Sequence, residues 1–246
     1  MTKRQAAGIS IFSNTALTLG KLAVGFFSGS VAIIAEAAHS AIDLLASIIA
    51  YYAVAVSGKP ADMDHAYGHG KYENISGLAE ALLIFVAAGW IINEAIHKLL
   101  EPSEPALLLL GSIVMLVSTV ANILVSRMLF RVGKETDSMA LIADAWHLRA
   151  DVYTSAGVML SLALYYAGKK LLPEANLLWL DPVTAILVAL LIVKAAWQLS
   201  ADSVRDLLDQ SLPPEEEKLI KSKLAELRPQ LYSFKNLRTR KSGKTR

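Results

Sequence analysis

Six long apolar stretches, at about residues 7–27, 31–57, 75–99, 106–130, 138–167 and 178–204, alternate with short polar breaks. Each is close to the roughly 20 apolar residues that carry an α-helix across a bilayer. The breaks are Ser28-Gly29-Ser30, Gly58 to Tyr72, Glu101-Pro102-Ser103-Glu104-Pro105, Arg131 to Asp137, and Gly168 to Asn176, all rich in turn-forming or charged residues. The pattern predicts an all-α membrane protein of six transmembrane helices, and an even number of crossings places both termini on one side. Lys3, Arg4, Lys59, Lys71, Arg127, Arg131 and Lys134 cluster at one set of helix ends, against Lys98, Lys169 and Lys170 at the other. The bias of basic residues toward the cytoplasm then predicts that both termini are cytoplasmic. After Leu212-Pro213-Pro214 the pattern turns polar. Glu215 to Arg228 reads as an amphipathic helix with acids in its first turn, and Leu237 to Arg246 reads as a strand leading into a Ser-Gly turn. The expected division is a six-helix transmembrane body, 1–208, followed by the start of a cytosolic domain, 209–246, that is truncated.

Within this apolar background one polar pattern occurs twice. Ala35-Glu36-Ala37-Ala38-His39-x3-Asp43-x3-Ser47 in the second stretch matches Ala143-Asp144-Ala145-Trp146-His147-x3-Asp151-x3-Ser155 in the fifth. Residues four apart share a helix face, so His39 with Asp43, and His147 with Asp151, can each reach a common point. Two such helices face to face offer two imidazoles and two carboxylates, a set suited to tetrahedral Zn²⁺, with the aspartates cancelling the ion's charge. Ionised side chains at the bilayer centre cost about 2.5–3.5 kcal/mol each on insertion scales, which makes such residues functional candidates. Hydrogen bonding between helices is the simpler use of one such residue, and a duplicated pair argues against it. Glu36 and Asp144, about one turn before the histidines, are candidate orienting groups or proton relays, or else wet groups near a helix end. Imidazole binds metal only when neutral, so His39 and His147 can exchange metal for protons near neutral pH.

Composition narrows the chemistry. Of 246 residues 54% are hydrophobic and 19% charged, with a mean hydropathy of +0.43, too apolar for an ordinary soluble domain. Cysteine is absent, which removes disulfides, thiolate metal sites and cysteine nucleophiles, so a metal must be held by His, Asp and Glu. The net charge of +2 comes largely from the basic tail and points to a membrane surface, not to nucleic acid. The N-terminal apolar run lacks a cleavage site and reads as a retained helix. A phosphate-binding G-x4-G-K-[ST] loop and an H-E-x-x-H motif are both missing, and five histidines, two in a loop, are too few for a His-rich di-iron centre; the reading is therefore not an enzyme. In the second break, Asp62, His65 and His69 are spaced as a second, exposed metal site. Lys21 and Lys194 read as snorkelling or interhelical groups, Asn14 and Asn122 as polar residues within spans, and Trp90, Met115 and Trp197 as lipid-facing or packing groups.

These residues, with His65-Ala66-Tyr67-Gly68-His69-Gly70-Lys71-Tyr72-Glu73, Leu208-Asp209-Gln210-Ser211-Leu212-Pro213 and the terminal LRTRKSGKTR, give the chain a resemblance to the cation diffusion facilitator family over nearly its whole length. The resemblance implies a six-helix homodimeric metal/proton antiporter with a ferredoxin-like cytosolic domain, of which only the beginning is recognisable here. It places the transport site at His39, Asp43, His147 and Asp151, and a loop metal site at Asp62, His65 and His69. It also implies an interlock between Lys71 and an acid near the end of the sixth helix, Asp209 or, as second choice, Asp206. The two-His, two-Asp set implies Zn²⁺ as transported substrate, with Cd²⁺ a mimic and no organic cofactor, and the basic tail fits residence in a prokaryotic inner membrane. A metal sensor or non-transporting partner subunit of the same fold is the competing reading; it would be marked by a missing ligand, and all four are present.

Overall fold

A computed structural model describes residues 1–101, 109–171, 177–226 and 236–242. Seven helices follow one another: α1 (Lys3–Ser28), α2 (Val31–Ser57), α3 (Tyr72–Leu100), α4 (Leu109–Thr136), α5 (Met139–Leu171), α6 (Leu180–Leu207) and the short α7 (Pro214–Glu226). Local sequence accounts for their ends. Thr2 caps α1 in a reciprocal box with Gln5. Gly29 closes α1 in the left-handed region at φ +64°, where a Cβ would be strained, and Ser30 then caps α2. Pro214 and Glu215 to Glu217 open α7, where a missing N–H costs nothing and negative charge faces the helix dipole.

The first six helices pack as a bundle in which α1 lies along α2, α3 along α6 and α4 along α5, while α2 and α5 meet in the centre. Their contacts are made largely by small residues: Ala46, Ala50, Ala81, Ala88, Ala140, Ala143, Ala145, Ala189 and Ala196 are fully buried, as expected where helix association depends on close approach rather than on escape from water. A Cβ on Gly77 would lie 2.8 Å from Ser203 Oγ, so this glycine sets how near α3 comes to α6. Large apolar groups such as Phe12, Phe27, Trp90, Leu124 and Trp197 point outward, in keeping with the lipid-facing reading of the two tryptophans. Met115 differs, because it lines an internal cavity described below.

Five helices, α1, α2, α3, α4 and α6, are long and apolar enough to cross a membrane by length and composition. α5 is the longest, yet Asp144, His147, Arg149, Asp151, Tyr153, Thr154 and Ser155 dilute its first half. The sixth expected crossing therefore coincides with the helix that carries half of the candidate ligands. The structure corrects the reading of the tail. No strand occurs among the described residues, and 236–242 contains a single bridge residue, Ser242. Side chains, not a ladder, hold this segment: Thr239 Oγ1 donates to Glu217, Arg240 pairs with Asp209, and Lys241 pairs with Asp137 at 2.8 Å. The amphipathic helix expected at 215–228 is present as α7, which buries none of its residues; 227 and 228, like 243–246, lie outside the described residues.

Candidate metal centre

The repeated motif places His39 and Asp43 on α2 and His147 and Asp151 on α5, in the first half of each helix. The four side chains form a chain of contacts in which His39, Asp43 and Asp151 share one point and His147 joins through Asp43. His147 Nε2 lies 3.1 Å from Asp43 Oδ1, His39 Nε2 lies 3.6 Å from Asp151 Oδ1, and His39 Nε2 is 3.9 Å from Asp43 Oδ1. His39, Asp43 and Asp151 bring their ligand atoms within 4.8 Å of one another. Asp43 touches both histidines and is thus the hinge of the cluster; its side chain is 7% exposed, against 49% for His39. Amides from neighbouring helices brace both aspartates, Asp151 through its carboxylate and Asp43 through its main chain. Asn122 on α4 donates to Asp151 Oδ2 at 3.4 Å, and Asn14 on α1 donates to the Asp43 carbonyl and, at 2.6 Å, to Ser47 Oγ.

Glu36 and Asp144 stand apart from the ligands. Glu36 is paired with the buried Lys21 on α1 at 3.3 Å, and Lys21 also donates to Ser40, so Lys21 is an interhelical partner. Asp144 is fully buried and accepts from Ser47 Oγ at 3.1 Å. The repeat thus serves two ends: its His-x3-Asp core builds the centre, and in the first copy its serine anchors the acid of the second.

A cavity of about 190 Å³ reaches His39, Asp43 and Asp151. Its other lining residues, including Lys21, Glu36, Met115 and Val158, all lie toward the bundle end that carries the α1–α2 turn. The opposite end, where α7 lies, is shut above the centre. There Glu73, 1% exposed, receives Lys3 Nζ at 2.9 Å and Ser57 Oγ at 2.7 Å, and Ser138 Oγ donates to its other oxygen. Glu80, also fully buried, accepts from Ser76 on its own helix. Neither acid was singled out from sequence. Glu80 has a usable signal, an acid inside the apolar run Ile75 to Trp90; Glu73 sits beside a loop already polar, where burial is not legible.

The loop site also closes. Asp62, His65 and His69 bring ligand atoms within 4.8 Å of one another. Asp62 Oδ1 accepts from the His65 backbone N–H at 2.7 Å and lies 3.2 Å from its Nδ1, while Oδ2 lies 3.3 Å from His69 Nε2. The backbone N–H of His65 is the main reason that the Asp62 carboxyl is held below its ordinary range. His69 is buried, whereas Asp62 and His65 are exposed. The interlock is formed as well: Lys71 Nζ lies 2.9 Å from Asp209 Oδ1 and donates to the Leu207 carbonyl, and this contact lowers the Asp209 carboxyl. Asp206 instead accepts from Asn74 and lies 3.8 Å from Lys241.

Long apolar helices packed through small residues around an ionisable centre define a polytopic helical membrane protein. The chain belongs to the cation efflux family: residues 8–208 match the cation efflux transmembrane domain. It is 35% identical to an uncharacterized transporter of Synechocystis over 99% of this chain and 77% of that one. It is 34% identical to the cation-efflux pump FieF of Shewanella oneidensis, covering 94% and 76%, and 33% identical to the manganese efflux system protein MneP of Bacillus subtilis, covering 86% and 71%. The resemblance drawn from the paired motifs and the loop is thereby established at the level of family, that of cation efflux transporters.

Proposed function

We propose that the chain exports Zn²⁺ from the cytoplasm in exchange for protons, by alternating access across a bacterial inner membrane. In this reading all six long helices cross the membrane, both termini are cytoplasmic, and 209–246 forms a separate cytosolic part. One observation supports it: a two-His, two-Asp cluster divided between two helices borders a cavity whose other lining residues lie toward one end of the bundle. By the basic-residue bias, the α7 end faces the cytoplasm, so the cavity faces outward. A relative rotation of α2 and α5 separates His39 and Asp43 from His147 and Asp151, and a divided site releases an ion that a closed one holds. The charge balances, because two carboxylates offset one divalent cation in a region where net charge is costly.

Metal choice follows from the donors. Two imidazoles favour Zn²⁺, and Cd²⁺ by mimicry, over the harder Mn²⁺, which prefers oxygen; the MneP name concerns manganese and that protein. Protons enter through the histidines, whose rings bind metal only when neutral. His39→Asp should broaden the accepted metals toward Mn²⁺ and Fe²⁺, read as competition against Zn²⁺ uptake. The family resemblance extends the proposal to a homodimer.

The test is Zn²⁺ uptake into proteoliposomes with and without an imposed pH gradient, for the native chain and Asp151→Ala. Gradient-driven uptake that vanishes in the variant is the expected result. Zn²⁺ binding without flux would replace the transporter by a sensor or partner subunit.

A further inference from the structure

Between the loop site and the central cluster lies a second buried carboxylate with an unusual set of partners. Glu73 joins three other parts of the bundle: Lys3 in the first turn of α1, Ser57 at the end of α2, and Ser138 at the start of α5. No other hydrogen bond among those described ties the ends of α1, α2, α3 and α5 to a single side chain. Glu73 also lines a cavity of about 990 Å³ together with Lys3, Ser57 and His69, the buried member of the loop site. His69 is 7% exposed and its Nδ1 is buried without a hydrogen-bond partner. One cavity therefore borders both the His69 imidazole of the loop site and the Glu73 carboxylate.

We propose that Glu73 is the cytoplasmic gate of the transporter and the carboxylate that receives a divalent cation beyond the loop site, with the Lys3 ammonium occupying the ion's place while the gate is shut. This rests on the transport reading and on its orientation. The physical case is one of exchange. Opening this end must part α2 from α5, which withdraws the hydroxyls of Ser57 and Ser138 from Glu73. A buried carboxylate stripped of donors is strongly disfavoured unless a cation stays with it. Lys3 is a point charge on a long flexible stem, partly exposed at the helix start, so it can swing into water at little cost. A divalent ion arriving from His69 brings twice the charge and takes over the same oxygens. With Lys3 in place the carboxylate is satisfied, α2 and α5 stay together, and the gate holds without cargo.

The chain has no cysteine, so a single introduced thiol reports on the gate. Ala50 is fully buried on α2, midway between Asp43 and Ser57. In Ala50→Cys, an impermeant maleimide added from the α7 side should label slowly. Adding Lys3→Met or Glu73→Gln should speed labelling about tenfold, the loss expected from one charged hydrogen-bonded pair. Labelling at the parental rate in both would overturn the gate. In the cysteine-free background, the half-saturating Zn²⁺ concentration for uptake from the α7 side separates the two roles. Glu73→Gln should raise it about tenfold, whereas Lys3→Met, which removes the competitor and keeps the carboxylate, should leave it level or lower it. Equal increases in the two variants would make Glu73 a structural tie and overturn its ion-receiving role. If the native chain moves no Zn²⁺, the transport reading falls and the ion-receiving role with it, while labelling still decides the gate.

Discussion

The central cluster and the loop cluster use the same two kinds of ligand, but their construction differs. Asp62, His65 and His69 come from one eight-residue segment, held by backbone N–H groups that cap Asp62. His39 and Asp43 come from one helix and His147 and Asp151 from another, more than a hundred residues away, with Asp151 held by an amide on α4 and the Asp43 main chain by an amide on α1. The first site survives any rigid motion of the bundle, since all its ligands move together. The second changes with the relative position of α2 and α5. A binding site that must release its ion on cue has to be built as the second is, and one that collects ions at a surface can be built as the first is. Burial cuts across this division, each cluster having an enclosed part and an exposed one: Asp43 and His147 are buried beside the half-exposed His39, and His69 is buried beside the exposed Asp62 and His65.

The harshest way to break this comparison is Asp43→Ala. Asp43 is the one carboxylate that touches both histidines, so its loss leaves the imidazoles without a common partner and the site without half its neutralising charge. Uptake in proteoliposomes should fall to the level of protein-free vesicles while the protein still inserts, and one bound Zn²⁺ per chain, the loop ion, should remain by equilibrium dialysis. Flux at even a tenth of the native rate would remove the central cluster from the pathway.

A milder cut is Asn122→Ala, which leaves every ligand in place and removes the amide that orients Asp151. Partners that orient a ligating carboxylate are worth about 10- to 100-fold in metal affinity. The central site should weaken by about tenfold and the loop site not at all, measured by competition with a fluorescent chelator in Asp43-intact protein. An unchanged central affinity would mean that packing alone holds Asp151.

The contrast between the two clusters also decides what was legible in the sequence. The approach of His39, Asp43, His147 and Asp151 was readable because a polar motif repeated inside apolar runs has few other uses, and that of the loop trio because the three residues are close in sequence. Six helices were readable from length and hydropathy, though α5 is polar enough at its ligand half to fall short by composition. The supporting groups were not readable in their roles. Asn14 and Asn122 stood out as polar residues within spans, but that Asn122 bonds the Asp151 carboxylate and Asn14 the Asp43 main chain and Ser47 depends on helix rotation, which hydropathy does not encode. Glu73 was hidden by its polar neighbours, and its burial comes from Ser57 and Ser138, brought together only by the folded bundle. The tail misled for a related reason: 236–242 alternates as a strand does, yet Thr239, Arg240 and Lys241 find partners on helix ends instead of in a sheet.

His69→Ala sharpens the comparison from the other side. It should remove the loop ion, leave central binding intact and lower uptake only a few-fold, mainly at low Zn²⁺. The pH dependence separates the two ligand types within the loop. The Asp62 carboxyl is held below its ordinary range, so it stays ionised as pH falls through the region where imidazoles take up protons and release metal. Asp62→Asn should therefore weaken loop binding and raise the pH at which it is half lost at fixed Zn²⁺, while the steepness of that loss, set by the imidazoles that take up protons, stays the same. A shallower loss in the variant would show that the carboxylate also takes up a proton on release.

The smallest effect is expected at the interlock. Lys71 and Asp209 are both substantially exposed, and exposed pairs contribute little because water and salt screen them. Its direction with pH is nevertheless determined. A carboxyl whose folded pKa is lowered, as that of Asp209 is by Lys71, stabilises the fold above its unfolded value and loses that contribution as pH falls through the lowered one. Lys71→Met should therefore lower thermal stability slightly and by the same amount at pH 7 and pH 5, and the difference from the native chain should shrink only below the ordinary aspartate range. Salt should reduce it at both pH values. A difference that already disappears by pH 5 would mean that a histidine, not Asp209, is the titrating partner, and would tie this end of α6 to the loop site by charge as well as by proximity.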